Sequence, residues 1–236
     1  MTLCGCLLDV HPSEIMEYFN HPSVDMLEWR LDHTIHRRSL PVTLETLGVL
    51  RTAPRRPIVV TNRAAREGGL FEADEEARID VLWKAAEAGA EWADLEYDVA
   101  PEAVKRFESR GCRVVLSHHE FGETPDAPAL RRLAERMAGW GASVLKIATY
   151  ARMREDNLRV LELIPFARRE LGLDAIAFCM GPMGLWSRFS CLLFGSPWTY
   201  VQLPGQDAAA SGQVSAARMR TLLDAGAWMF QDGETG

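Results

Sequence analysis

The sequence predicts an α/β fold, a (β/α)8 TIM barrel, on three observations. Short apolar runs alternate with longer helical patterns from one end of the 236 residues to the other. Eight such repeats are present, and no linker or shift in composition separates them. The first run, Leu3–Val10, carries Cys4 and Cys6 two residues apart and so on one face of a strand. A helix over Ser13–Phe19 follows, entered past Pro12. The second run is Asp25–Leu31, with a helix at Leu44–Arg51. Pro57–Thr61 precedes a helix at Glu75–Ala88. Glu91–Glu96 precedes Ala103–Arg110, with Pro101 at its entry and Gly111 where it should stop. Proline suits a first helical turn because its missing N–H is not needed there, and glycine suits the left-handed stop. The fifth run, Cys112–Ser117, leads past Pro128 into Ala129–Ala138. Ser143–Ala148 leads into Asn157–Leu171, closed by Gly172. Asp174–Cys179 precedes a short helix near Leu185–Leu193, and Trp198–Leu203 precedes Gln213–Ala225. Repeated βα units imply a parallel sheet, and residues 1–236 read as a single barrel domain. An open doubly wound sheet is the alternative, but no Gly-x-Gly-x-x-Gly turn follows the first strand.

Composition narrows the function. Hydrophobic residues make up 47% of the chain, enough for a sizeable core. The net charge of −7, without long like-charge runs, argues against a nucleic-acid binder. Arg37-Arg38 and Arg55-Arg56 are short and fall in predicted loops, as solvated surface does. No 18-residue apolar stretch and no basic leader segment occur, so no membrane partner and a cytoplasmic location are expected. The five cysteines are odd in number and scattered, a poor disulfide framework. Cys112, Cys179 and Cys191 sit beside apolar residues and should pack as small hydrophobes. No metal site is expected.

One charged residue stands out. Of 26 Lys plus Arg only three are lysines, Lys84, Lys105 and Lys146, and Lys146 lies inside the apolar run Ser143–Ala148. Arginine stays protonated, whereas a desolvated lysine can become a nucleophilic amine and condense with a carbonyl. The plainer alternative is a buried salt-bridge partner or a strand-end lysine reaching water. The barrel supplies a test, since catalysis in this fold gathers at the C-terminal ends of the strands. Glu28 and Arg30 come late in the second run, Arg63 just after the third, and Glu96 ends the fourth. His118-His119 follow the fifth, Lys146 is late in the sixth, and Met180-Gly181 follow the seventh. His119, on the strand next to Lys146, is the natural acid/base partner. His118 should face the other way if the strand is still regular there. Arg30 and Arg63 could equally form a structural ion-pair cluster with Glu28 and Glu96.

These segments resemble a known family. Glu28-Trp29-Arg30-Leu31-Asp32, Thr61-Asn62-Arg63 with Glu67-Gly68-Gly69, Ser117-His118-His119-Glu120-Phe121 with Thr124-Pro125, Lys146-Ile147-Ala148, Met180-Gly181 with Ser187-Arg188, and Ser211-Gly212-Gln213 are similar, in order and spacing, to type I 3-dehydroquinate dehydratase. The resemblance implies a cofactor-free barrel enzyme of the shikimate pathway, converting 3-dehydroquinate to 3-dehydroshikimate and water. It makes Lys146 the imine-forming residue, His119 the general acid/base and Glu67 the carboxylate that orients it. It makes Arg188 the grip on the substrate carboxylate, with Gln213 beside it, and Glu28, Arg30 and Arg63 the polar floor. Glu96 is left as a support residue. The implied partner is the small molecule, with a homodimer left open.

Two departures affect these expectations. The family commonly has Ser-Ala-Pro-Gly-Gln in the last loop, whereas this chain reads Ala209-Ala210-Ser211-Gly212-Gln213. The hydroxyl at 209 and the loop-stiffening proline are missing, and Ser211 is a candidate substitute. Only 27 residues precede Glu28, so a hairpin capping the bottom of the barrel is expected to be absent. The rival readings are another Schiff-base barrel, such as a class I aldolase, and a non-catalytic binder of shikimate-type ligands that regulates a partner.

Overall fold

Eight strands lie parallel in one sheet, in the order β7-β6-β5-β4-β3-β2-β1-β8. They are β1 (Leu3–Leu7), β2 (Met26–Arg30), β3 (Ile58–Thr61), β4 (Trp92–Glu96), β5 (Arg113–Glu120), β6 (Val144–Tyr150), β7 (Asp174–Met180) and β8 (Thr199–Gln202). The computed structural model describes residues 1–11, 13–51 and 56–226. Because β1 pairs with both β2 and β8, the sheet curls into a barrel, which rules out the open doubly wound alternative. The barrel is nearly closed: no ladder joins β7 to β8. A helix at Ser187–Leu193 bridges that seam. Ser187 Oγ accepts a hydrogen bond from the Cys179 N–H of β7 at 2.8 Å, and Thr199 Oγ1 of β8 donates to the Arg188 carbonyl at 2.7 Å. Among the described residues no strand precedes β1.

Alternation along each strand makes two cores. Outward residues such as Leu27, Trp29, Leu95, Leu116 and Leu145 pack under the helices. Inward residues of the lower layers, among them Met26, Val59, Trp92, Val115, Val144 and Trp198, plug the barrel. Trp92 and Trp198 meet edge to face with ring centroids 5.2 Å apart. Each large apolar side chain so buried contributes on the order of 1.5–3 kcal/mol. Above this plug the inward positions turn polar: Glu28, Arg30, Thr61, Asp94, Glu96, Ser117 and Lys146 are all buried.

The helices start where capping chemistry directs. Asp74 and Asp126 accept from Ala77 N and Ala129 N, each at 2.8 Å, and Pro101 and Pro128 sit in first turns. Pro12 and Arg55 lie outside the described residues. Several expected boundaries shift. A helix at Leu31–Arg37 follows β2 with no intervening loop, so Arg37 ends a helix instead of lying in one. The segment expected as one helix over Asn157–Leu171 is broken into Asp156–Leu161, Leu163–Phe166 and a π turn at Ala167–Leu171. Pro165 has no N–H to give to a continuous ladder there. The last helix starts at Ala216, not Gln213, because Ser215 is its cap, accepting from Arg218 N at 3.3 Å.

Candidate active site

Asp94, on the inward face of β4, sits at the centre of the polar layer. One oxygen accepts from Lys146 Nζ at 2.9 Å; the other accepts from Arg63 at 2.7 Å and from Ser117 Oγ at 2.6 Å. Burial alone would raise the Asp94 pKa, but the Arg63 and Lys146 charges outweigh it and hold the carboxyl well below its ordinary range. Arg63 also pairs with Glu96 at 3.2 Å and donates to Ser117 Oγ at 2.7 Å. Glu96 in turn accepts from the Ala64 N–H and pairs with Arg78, which rises from the helix at Glu75–Ala88. Glu96 is thus the support residue expected of it.

Lys146 is the third of seven residues in β6, not late in it, because the strand runs on to Tyr150. Its amine is 3.8 Å from Glu28 Oε1 and lies 4.5 Å above the centre of the Tyr200 ring. Lys146 is ion-paired, as the plainer sequence reading has it, and also lines a cavity. Glu28 accepts from Thr61 Oγ1 at 2.8 Å and from the Cys6 thiol at 3.2 Å.

His119 lies within β5, which extends three residues beyond the expected end to Glu120. Strand geometry therefore still holds at the histidine pair. His119 faces the cavity, while His118 packs edge-on against Tyr97 outside the barrel. Glu67, in a short turn after β3 (Ala65–Glu67), accepts from the His119 backbone N–H at 3.1 Å, and the same oxygen is hydrogen-bonded to Nδ1 at 2.9 Å. Gly69 lets this turn fold back, since a Cβ there would collide with the Arg63 carbonyl. Burial lowers the His119 pKa well below 6.5, and the Arg63 and Lys146 charges push the same way. Burial pushes the Glu67 carboxyl up to about 7 against the opposing pull of Arg63. The lowered pKa favours the uncharged imidazole. In the tautomer that gives Nδ1–H to Glu67, Nε2 keeps its lone pair and can act as a base.

The opposite wall is apolar with one buried cation. Arg188 lies over the Phe178 ring at 4.5 Å and donates to the Ser211 carbonyl at 3.2 Å, while its Nε has no partner. No carboxylate among the described residues pairs with it, and burial lowers its pKa to about 10. Arg30 gives both faces of its fork to Asp32, at 2.9 and 2.7 Å, and not to Glu28. The expected ion-pair cluster thus forms around Arg63, Asp94 and Glu96, with Arg30 apart from it. Ser211 offers only its carbonyl: its exposed side chain does not line the cavity, so its hydroxyl does not replace the one missing at Ala209.

All eight residues expected at the site, Glu28, Arg30, Arg63, Glu67, His119, Lys146, Arg188 and Gln213, line one cavity of about 540 Å³, a volume that includes space open to solvent. Sequence reasoning passed over Asp94, Asp32, Tyr200 and Cys6. Asp94 carried a usable signal, an acid within the apolar run Trp92–Leu95 and two residues before Glu96, hence on the same face.

Amine, imidazole–carboxylate pair and unpaired arginine converge at the C-terminal mouth of a barrel, which is where enzymes of this fold carry their chemistry. Comparison with known proteins narrows that class. A model of the family described as type I 3-dehydroquinase matches residues 11–227. A 3-dehydroquinate dehydratase of Syntrophobacter fumaroxidans is 49% identical over 94% of this chain and 95% of its own. One from Thermococcus gammatolerans is 35% identical over 77% of this chain and 84% of its own. The crystal structure of the Geobacillus kaustophilus 3-dehydroquinate dehydratase superposes with a TM-score of 0.87 at 27% identity, covering 96% of this chain and 91% of that one. The chain belongs to the type I 3-dehydroquinase family.

Proposed function

We propose that this chain dehydrates 3-dehydroquinate to 3-dehydroshikimate and water, in the shikimate pathway, through a Schiff base on Lys146. The observation that carries the reading is the Lys146 amine held at 2.9 Å from Asp94 in the cavity that the His119–Glu67 pair also lines. The amine adds to the substrate ketone and loses water to give an iminium. Asp94 and Glu28 flank the nitrogen and stabilise its positive charge. The iminium draws electrons from the neighbouring C–H bond, and its proton passes to His119 Nε2. The resulting enamine expels the hydroxyl, which takes that proton back from His119 and leaves as water. Hydrolysis of the conjugated iminium releases the enone and restores the amine.

The strand register supports this division of labour. Lys146 is opposite Ser117 and His119 opposite Ala148, so the base sits one inward layer above the amine, roughly 6–7 Å along the strands. A six-membered ring bound as an imine fills that step. Glu67 orients the histidine and supports its charged form. Arg188 is the partner for the substrate carboxylate, with Gln213 beside it. Arg30, braced by Asp32, and Arg63 line the same cavity and serve the ring hydroxyls. The route calls on no metal or organic cofactor.

The same reading takes residues 1–236 as one barrel domain, since every strand among the described residues belongs to one sheet. It places the enzyme in the cytoplasm and without nucleic acid as a partner. No helix among the described residues is long and apolar enough to cross a membrane. If a second copy binds, the exposed Met183, Leu185 and Trp186 beside Arg154 offer an apolar face for it. The deciding experiment is incubation with 3-dehydroquinate. Growth of conjugated-enone absorbance is the expected result; binding without turnover would favour the regulator, whose only support is the altered last loop.

A further inference from the structure

The last loop, which joins β8 to the helix at Ala216–Ala225, lacks the hydroxyl and the proline expected in it, yet it is tied to the barrel floor. Gln213 makes the tie. Its Oε1 accepts from the Ala209 backbone N–H at 2.6 Å, and because that N–H can only donate, the orientation of the amide is set. Nε2 then points at Cys6, donating to the sulfur at 3.1 Å. The thiol passes its own proton toward Glu28 Oε2 at 3.2 Å, and the other Glu28 oxygen lies 3.8 Å from Lys146 Nζ. A continuous polar chain thus runs from the loop backbone through Gln213, Cys6 and Glu28 to the reacting amine. Cys6 is the one cysteine of the five that lines the cavity.

We propose that Cys6 is a positioning residue for the reaction, its thiol relaying the hydrogen bond that holds Gln213 and the last loop in register with Glu28. A thiol can do this because it accepts on one side and donates on the other. Burial and the neighbouring Glu28 charge push its pKa well above 9, so the donor proton stays on sulfur. A residue of similar size that neither donates nor accepts would leave Gln213 Nε2 and Glu28 Oε2 each short of a partner. The hydroxyl missing at 209 makes the tie matter more, since the loop has one fewer polar group of its own.

The proposal rests on the dehydratase reading for its kinetic arm and not for its structural one. Cys6→Ala should raise KM by up to about tenfold, the size of one neutral hydrogen bond, with kcat changed by about twofold or less. Cys6→Ser, which keeps both bonding senses, should restore KM. Cys6→Val, which fills the space without polar atoms, should behave as Cys6→Ala and keeps the test alive if the smaller residue fails to fold. Adding Cys6→Ala to Gln213→Ala should cost about twofold or less beyond Gln213→Ala alone, because both break one chain. Hydrogen exchange of the Ala209 amide, measured without substrate, should speed up by up to about tenfold in Cys6→Ala and return toward native in Cys6→Ser. Additive penalties, an unchanged Ala209 amide, or lost melting temperature with KM unmoved would each overturn the relay. If native protein fails to turn over 3-dehydroquinate, the dehydratase reading falls and the exchange arm still decides this one.

Discussion

On the β3–β6 side of the mouth each buried charge has an opposite one within reach, whereas on the β7–β8–β1 side Arg188 has only a carbonyl and the face of Phe178. The paired side needs no ligand to be ordered. Asp94 contacts Lys146, Arg63 and Ser117 at once, and Glu67 holds His119 by two bonds. The unpaired side buries a cation without a counter-charge, which costs several kcal/mol. The comparison teaches that one half of the site is charge-paired as it stands and the other holds an unpaired cation, the contrast on which the proposed division between amine chemistry and carboxylate capture rests.

The largest expected effect breaks the chemical half. Lys146→Arg should abolish turnover while circular dichroism and melting stay near native, because the guanidinium can keep a bond to Asp94 but cannot form an imine. Measurable turnover in that variant would remove the imine from the account. His119→Ala comes next, with kcat lower by on the order of 10²–10⁴ and imine formation retained. A larger loss from His118→Ala would mean that the outward histidine had been misjudged.

Arg188→Ala tests the other half. It should lower kcat/KM by roughly 10- to 150-fold, the range of one hydrogen bond to a charged group. Thermal stability should be unchanged or higher, since an unpaired cation is removed. Asp94→Asn should do the reverse, destabilising by about 3–5 kcal/mol because Arg63 and Lys146 lose their shared counter-charge. Denaturant melts of the two variants side by side check the contrast. Equal stability losses would erase it.

How much of this was legible is clearest from those same residues. All eight strands follow from apolar runs, but β5 and β6 were cut short because their upper ends carry His118, His119, Glu120, Thr149 and Tyr150. Polar residues placed for function look like loop. The helix at Leu31–Arg37 was missed for the opposite reason, as no turn residues separate it from β2. Lys146 was legible because a charge in an apolar strand conflicts with its surroundings. Asp94 has the same property but lies near the charged end of β4, two residues from Glu96, where an acid does not stand out. The Gln213–Cys6 contact joins residues 207 positions apart and left no local trace.

Titration offers a finer test within the paired side. Because the fold depresses the His119 pKa, the unfolded chain binds this proton first as pH falls. The histidine's contribution to stability is therefore complete above 6.5 and is lost as pH falls from there through the native value. Glu67 acts in the opposite sense, contributing below its ordinary value of 4.5 and losing that contribution as pH rises through about 7. Between about pH 5 and 7, His119→Ala should make stability rise less steeply with pH, and Glu67→Gln should make it rise more steeply. Slopes that move together would mean the two groups are not perturbed in opposite directions.

The smallest effect concerns the altered loop. Ala209 lines the cavity, so Ala209→Ser should restore a donor and raise kcat/KM by up to about tenfold. A fall would show that Gln213 and its bond to the Ala209 N–H have set a course the hydroxyl disturbs.

The division between a chemical half and a capturing half stands on Lys146 as the nucleophile. The most direct measurement is borohydride reduction in the presence of 3-dehydroquinate, followed by peptide mass spectrometry. The account predicts a single reduced adduct on Lys146, retained in His119→Ala and absent in Lys146→Arg. An adduct on Lys84 or Lys105, or none on native protein that is turning substrate over, would contradict it.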